Sequence, residues 1–431
     1  MAILMSLVAR PSLGMKVAPN APRISLSLWE SQGEGHRQQK STNPNLMAQD
    51  VQAADRRGTV MVGMSGGVDS SVAALLLLEQ GYLVEGLFMK NWEEDDDGDY
   101  CAAARDLDDA SAVAERLGIP LRKVNFSAEY WDRVFASFLA EYRAARTPNP
   151  DTLCNKEIKF GAFLDYALAQ SVERIATGHY ARVTCSRERC RLKLAADEEK
   201  DQTYFLHLLG QSQLRRSLFP LGCLNKGEVR SLARRAGLPT AEKKDSTGIC
   251  FIGERRFRDF LARYLPRQPG PIETLEGRVL GEHRGLAYYT IGQRQGLGIG
   301  GVAGKAEAPW FVARKDLARN TLILVQGHDN PKLFSRGLEG SALHWIGARP
   351  PATPPFDCRL RLRHRQPLQG CTLTDIREDR CRVRFSRPQR AVTPGQAVVF
   401  YWGEECLGGA IIDRAWDRTG AKDPSGFLQR S

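Results

Sequence analysis

At 431 residues, 42% hydrophobic and 26% charged, the chain is long enough for about two to four ordinary globular domains. No apolar run approaches the roughly 18 residues of a membrane-spanning helix, which argues against a helical membrane protein. The formal net charge of +11 favours a polyanionic partner.

Residues 1–57 carry Pro, Ser, Gln and Asn clusters without periodicity, and their first acidic residue is Glu30. They read as a disordered or mis-assigned extension, with a transit peptide as the alternative. Met47 offers a second start. Residues 58–255 read as the first domain, with alternating strand and helix patterns over 58–216. Thr59–Val62 is a buried strand. Val72–Leu78 opens a helix that stops at Gly81, and Val84–Met89 is a second strand. The spacing predicts a helix over 106–117, a strand over 121–126, helices over 130–143 and 158–170, and a strand over 174–177. Repeated βα units imply a doubly wound parallel sheet, with ligands at the carboxyl ends of its strands. The acidic run Glu93–Asp97 reads as a solvated loop.

Two short helical pieces are expected over 214–238. Residues 256–325 read as a β-rich central domain, strand-like from about Gly277. Within it Gly296-Leu297-Gly298-Ile299-Gly300-Gly301 joins no strand to a helix, so it reads as a loop. Residues 326–415 read as an all-β barrel, with strands near 358–365, 371–376, 381–385, 397–402 and 406–412. A polar tail, 416–431, follows.

The stretch Gly63-Met64-Ser65-Gly66-Gly67-Val68-Asp69-Ser70-Ser71 links a strand to a helix start. Free backbone N–H groups and the helix dipole favour phosphate there, and Gly66 and Gly67 allow close approach. The stretch lacks the Lys of a Walker A loop and is not GxGxxG. It resembles the PP-loop of ATP pyrophosphatases, which cleave ATP between the α and β phosphates.

Ten cysteines are scattered without a dense framework, which fits a reducing cytosol, and no CxxC pair suggests zinc. Cys185 and Cys190 read as neighbours on a surface hairpin. In Pro148-Asn149-Pro150-Asp151-Thr152-Leu153-Cys154, the two prolines stiffen a loop that presents Asp151 and Cys154. A thiol at a helix start near Lys156 should ionise readily, although a buried small hydrophobe is the alternative. Cys250 follows Gly248 in a second polar loop, and two such cysteines beside a PP-loop point to sulfur chemistry. Gly178 and His179 fall at a strand end. Lys200, Asp201 and Gln202 enter a helix, where they are either RNA contacts or a cap. Arg359, Arg361, Arg363 and Arg365 alternate with Leu360, Leu362 and His364, a spacing that puts four guanidiniums on one strand face, suited to phosphate.

Together these motifs resemble the bacterial tRNA-specific 2-thiouridylases. GMSGGVDSS, GLFMKNWEEDD, TPNPDTLCNKEIKF, ATGHYAR, KDQTYFL, DSTGICFIGER, GQRQGLGIGG and TPGQAVVFY carry the likeness from about Gly58 to Asp413. The resemblance implies a PP-loop domain, a central β domain and a C-terminal β-barrel that meets tRNA. It implies ATP binding by Gly63, Met64, Ser65, Gly66, Gly67, Val68, Asp69, Ser70, Met89 and Gly178, with Mg2+ on the phosphates. Asn149, Pro150 and Asp151 would meet the wobble uridine. His179, Lys200, Asp201, Gln202, Arg363, His364 and Gln396 would contact tRNA. Cys250 would carry a persulfide and Cys154 would be its thiol partner, leaving a Cys154–Cys250 disulfide. Asp151 would move a proton. No resident metal is implied. A cysteine desulfurase, directly or through a relay protein, would supply sulfur in the cytoplasm. Two alternatives are an amide-forming PP-loop synthetase, which needs no cysteine pair, and a non-catalytic tRNA-binding protein.

Overall fold

A computed structural model describes residues 57–92, 102–245, 257–299 and 308–417. The extension before Arg57, the acidic run 93–97, Cys250 and the tail beyond Asp417 lie outside the described residues.

The first domain is organised by a parallel sheet. Its strands are β1 (Thr59–Gly63), β2 (Leu83–Lys90), β3 (Leu121–Asn125), β4 (Arg174–Ala176) and, after the hairpin described below, β7 (Ser217–Leu218). Their spatial order is β3-β2-β1-β4-β7. The chain lays strands down on one side of β1 and then crosses to the other, so the switch point lies between β1 and β4. Val60, Met61 and Val62 are fully buried, as a central parallel strand covered on both faces requires. Helix α1 (Val68–Glu79) packs its Val72, Ala73, Ala74 and Leu77 against this sheet, with α2 (Ala102–Leu117) contributing Ala110, Val113 and Ala114. The opposite face is covered by Phe135, Phe138, Ile158, Phe160 and Phe163 from the segments 127–143 and 150–169.

The central domain is a four-stranded sheet in the order β10-β11-β8-β9. It comprises β8 (Gly270–Thr274), β9 (Val279–His283), β10 (Trp310–Asp316) and β11 (Thr321–Gln326). It starts at Gly270, earlier than the sequence pattern suggested.

The C-terminal barrel comprises β12 (Phe334–Trp345), β13 (Phe356–Arg361), β14 (Gln369–Arg377), β15 (Arg380–Arg390), β16 (Ala397–Trp402) and β17 (Glu405–Trp416). Pairing of β12 with both β15 and β17 closes it. Strand β12 was not anticipated. Its glycines explain why they are needed there: a Cβ at Gly337 would stand 2.0 Å from the Trp416 ring, and one at Gly340 would stand 2.9 Å from the Ile411 carbonyl. A hairpin from the first domain, β5 (Arg182–Cys185) and β6 (Cys190–Lys193), joins the same sheet through β6 and β17.

The predicted strand over 358–365 is corrected. β13 ends at Arg361, and the chain turns with Leu362 N–H donating to the Gln366 side chain at 2.9 Å and Arg365 at φ +65°. The chain must reverse before β14, and Pro367 has no N–H for a ladder. The four arginines therefore do not share a strand face.

Candidate active site

Strand β1 delivers the chain to Gly63, and Gly67 caps α1, so the turn 63–67 lies at the switch point. Gly66 has φ +70°, and a Cβ there would stand 2.3 Å from the Asp106 carbonyl of α2. Only glycine satisfies both conditions. Gly178, just past β4, approaches from the other side, and its added Cβ would stand 2.7 Å from Ser70 N. Ser65 N–H donates to Ser70 Oγ at 3.2 Å, and the two hydroxyls lie 3.2 Å apart. Ser70 and Ser71 hydroxyls both donate back to the Gly67 carbonyl. The Met89 side chain lies against Gly63 at the adjoining strand end. The ATP-binding residues implied by resemblance thus meet at one edge of one sheet.

Charges around this turn were missed in the sequence. Lys243 Nζ donates to the Gly66 carbonyl at 2.9 Å and to the carboxylates of Asp106 and Asp109. Burial opposes the Lys243 charge, but the two carboxylates outweigh it and raise its pKa. Asp69 accepts from Tyr180 Oη at 2.8 Å and from Lys226 Nζ at 2.7 and 2.8 Å. Lys226 also reaches Asp245 at 2.7 Å, and Asp245 is met in turn by Lys200 at 2.7 Å and Arg230 at 3.0 Å. Partial burial works against the Asp245 charge, yet the hydrogen bonds from Lys200 and Lys226 hold its pKa at about 2. These lysines are far apart in sequence: Lys200 opens the KDQTYFL motif, whereas Lys226 and Lys243 fall in none of the quoted motifs.

The loop 145–149 is gripped by both β domains. Gln396 Nε2 of the barrel donates to the Thr147 carbonyl at 2.7 Å, and Thr147 N–H donates to the Pro394 carbonyl at 3.0 Å. Lys315 of the central domain donates to the Ala145 carbonyl at 2.7 Å, and burial lowers its pKa to about 8. The loop leads into a helix whose cap is Asn149: its side chain accepts from Asp151 N–H at 3.0 Å, with Pro150 in the first turn. The helix then widens to π geometry over Cys154–Ala162. Such widening is frequent at functional sites. Cys154 is buried, 1% exposed, and Lys156 is paired with Glu157 at 3.2 Å. The thiol expected to ionise readily is therefore packed in the core, as the alternative of a buried small hydrophobe has it.

His179 is buried, its Nδ1 2.8 Å from Thr177 Oγ1 and its ring near Phe160 and Phe219. Burial, aided by Lys159, drives its pKa well below the ordinary value, so it is a neutral imidazole. Gln202 accepts from Tyr180 N–H at 2.9 Å. Asp201 is 1% exposed and faces inward, accepting from Ala195 N–H, Thr203 Oγ1 and the guanidinium of Arg361. Arg363 donates to the Ala391 carbonyl at 2.7 Å, and His364 lies 3.0 Å from the Asp201 carbonyl. Several residues implied as tRNA contacts thus also join the first domain to the barrel.

Cys185 and Cys190, expected only as hairpin neighbours, form a disulfide. The Cys154–Cys250 pairing falls partly outside the described residues.

A glycine-serine turn at a sheet switch point, with two β-rich domains appended, defines a PP-loop nucleotide enzyme of the ATP pyrophosphatase class. Residues 58–254 match the model described as the tRNA methyl transferase HUP domain, 258–326 the tRNA methyl transferase PRC-barrel domain, and 335–412 the aminomethyltransferase beta-barrel domain. The chain is 60% identical over 365 residues to the tRNA-specific 2-thiouridylase MnmA of Methylococcus capsulatus, covering 84% of this chain and 98% of that protein. It is 58% identical over 371 residues to the same-named protein of Pasteurella multocida, covering 86% and 96%. The chain belongs to the tRNA-specific 2-thiouridylases and is an ATP-dependent tRNA-uridine 2-sulfurtransferase.

Proposed function

We propose that the enzyme thiolates the wobble uridine, position 34, at C2, using the turn Gly63–Ser70 with Met89 and Gly178 for ATP. The observation that supports this reading best is the buttressing of 145–149 by both β domains, which suits the capped segment Asn149, Pro150 and Asp151 to receive an unstacked base. The uridine O2 attacks the α-phosphorus and pyrophosphate leaves. Asp151 accepts the N3 proton, so the adenylated base is neutral. Free N–H groups at the start of α1 and the Ser65 hydroxyl stabilise the phosphates.

Bound together with ATP, Mg2+ would supply charge neutralisation of the phosphates. Among the described residues no group of three or more His, Cys, Asp or Glu is arranged for a resident ion.

The terminal sulfur of a Cys250 persulfide attacks C2, and AMP leaves. The Cys154 thiolate then attacks Cys250 Sγ and breaks the S–S bond. The sulfur stays on C2 and a Cys154–Cys250 disulfide forms. An external dithiol reduces that disulfide by two electrons. An alternative order has Cys154 release hydrosulfide first. For either order Cys154 must leave its packed position, and tRNA binding supplies the occasion. Lys200, Gln202, Arg363, His364 and Gln396 line the tRNA approach, and buried Asp201 holds His364 through its backbone carbonyl rather than meeting tRNA itself. A cysteine desulfurase, with or without a relay protein, charges Cys250 in the cytoplasm. No helix among the described residues is long and apolar enough to cross a membrane.

Trapping labelled sulfur tests the roles. Cys250→Ser should bind tRNA and ATP yet accept no sulfur. Cys154→Ser should accept sulfur and stall before 2-thiouridine. Product formation by Cys250→Ser would overturn the assignment.

A further inference from the structure

Lys226 is held at both ends. Its backbone N–H donates to Asp197 at 2.9 Å, and it starts a helix, Lys226–Arg235, capped reciprocally by Asn225 and Glu228. Its ammonium is largely buried and divided between two carboxylates that belong to different segments. One is Asp69 of the phosphate-binding turn, reached through both oxygens and fixed also by Tyr180. The other is Asp245, which among the described residues also meets Lys200 and Arg230. A single cation shared by two anions makes their fates interdependent: whatever draws Lys226 toward one carboxylate loosens it from the other.

We propose that Lys226 is a positioning residue that couples ATP binding at the turn to the anchoring of Asp245. It acts through Asp69, whose place in the first turn of α1 sets the donors that meet the phosphates. Bound phosphates draw the ammonium toward the turn and weaken its hold on Asp245. Removal of the Asp245 carboxylate has the converse effect, leaving Lys226 wholly to the turn and tightening ATP. This inference rests on the reading of the turn Gly63–Ser70 as the ATP site.

The experiment is a double-mutant cycle on the full chain, with ATP dissociation constants measured by calorimetry at 0.15 M salt, where distant charges are screened. Wild type, Lys226→Met, Asp245→Asn and the double variant are compared, after thermal melts establish that each is folded. Lys226→Met should weaken ATP several-fold. Asp245→Asn should tighten ATP in the wild-type background and do so much less beside Lys226→Met. A ratio of the two Asp245→Asn effects of threefold or more supports the coupling, and a smaller ratio overturns it. A merely structural Lys226 would lower stability without producing this ratio. Lys226→Gln replaces the methionine variant if that one does not fold. Ser65→Ala separates the two readings. If it weakens ATP while the cycle shows no coupling, only the role of Lys226 falls. If neither Ser65→Ala nor Lys226→Met changes ATP affinity, the turn is not the ATP site and both readings fall.

Discussion

Arg361 of the barrel is buried against Asp201 of the nucleotide-binding domain, with Tyr401 stacked on its guanidinium at 5.4 Å. Both charges are withdrawn from water, so each depends on the other. Arg361→Ala should destabilise the protein by about 3–5 kcal/mol, because it strands a buried carboxylate. Arg361→Met combined with Asp201→Leu should cost less than either single change. Urea midpoints measure both, and additivity of the two single changes would contradict the pairing.

Gly178→Ala should damage ATP use more than stability. The new methyl would press on Ser70 N and on the Asp69 backbone and displace the turn. A fall in ATP affinity of at least about tenfold, or 1.4 kcal/mol, is expected, with the melting temperature changed little. Calorimetric titration with ATP checks it.

Gln396→Ala should act on the uridine end of the site. It leaves the Thr147 carbonyl without its barrel donor, a loss of about 1–3 kcal/mol locally. Thiolation efficiency with tRNA should drop about tenfold, while ATP affinity stays within about twofold. An equal loss of both would mean that the side chain supports the whole domain rather than the loop.

Stability should fall as the pH drops from about 6.5 toward 4. Burial lowers the His207 pKa to about 4 and takes His179 well below its ordinary value. Both are neutral when folded, while the unfolded chain binds protons from about pH 6.5 downward. Their contribution is therefore complete above that pH and is lost as the pH falls through the folded values. For His207 alone the loss amounts to roughly 3 kcal/mol. Asp245, held near 2, adds a further loss below the ordinary carboxylate range. Urea melts across this range should show the decline, and His207→Leu should flatten part of it.

The parallel sheet was legible because Val60–Val62 and the glycine-serine turn combine an apolar run with the residue choice of a tight strand-to-helix turn. The motif positions that gather at the β1 and β4 ends were legible for the same reason. Strand β12 was hidden because barrel closure demands Gly337 and Gly340 where a strand pattern would show branched residues. The arginine row misled because period two records alternation but not where the chain turns, and the turn at Leu362–Gln366 depends on a side-chain acceptor four residues ahead. The cations around Asp69 and Asp245 were illegible for a different reason. Lys200 was read only as a tRNA contact, and Lys226 and Arg230, single charged residues on one helix, look like ordinary surface; the three converge on Asp245 only through tertiary packing.

The hairpin Arg182–Lys193 makes the boundary between first domain and barrel a matter of sheet continuity rather than chain order. Its strand β6 extends the barrel through Glu405 and Cys406, and Arg189 adds an ion pair to Glu405. The last strand of the barrel is thus finished by residues that lie more than 200 positions upstream. A chimera that exchanges barrels between relatives has to inherit this hairpin along with the barrel, or the graft will expose an open edge ready to pair with a neighbouring molecule.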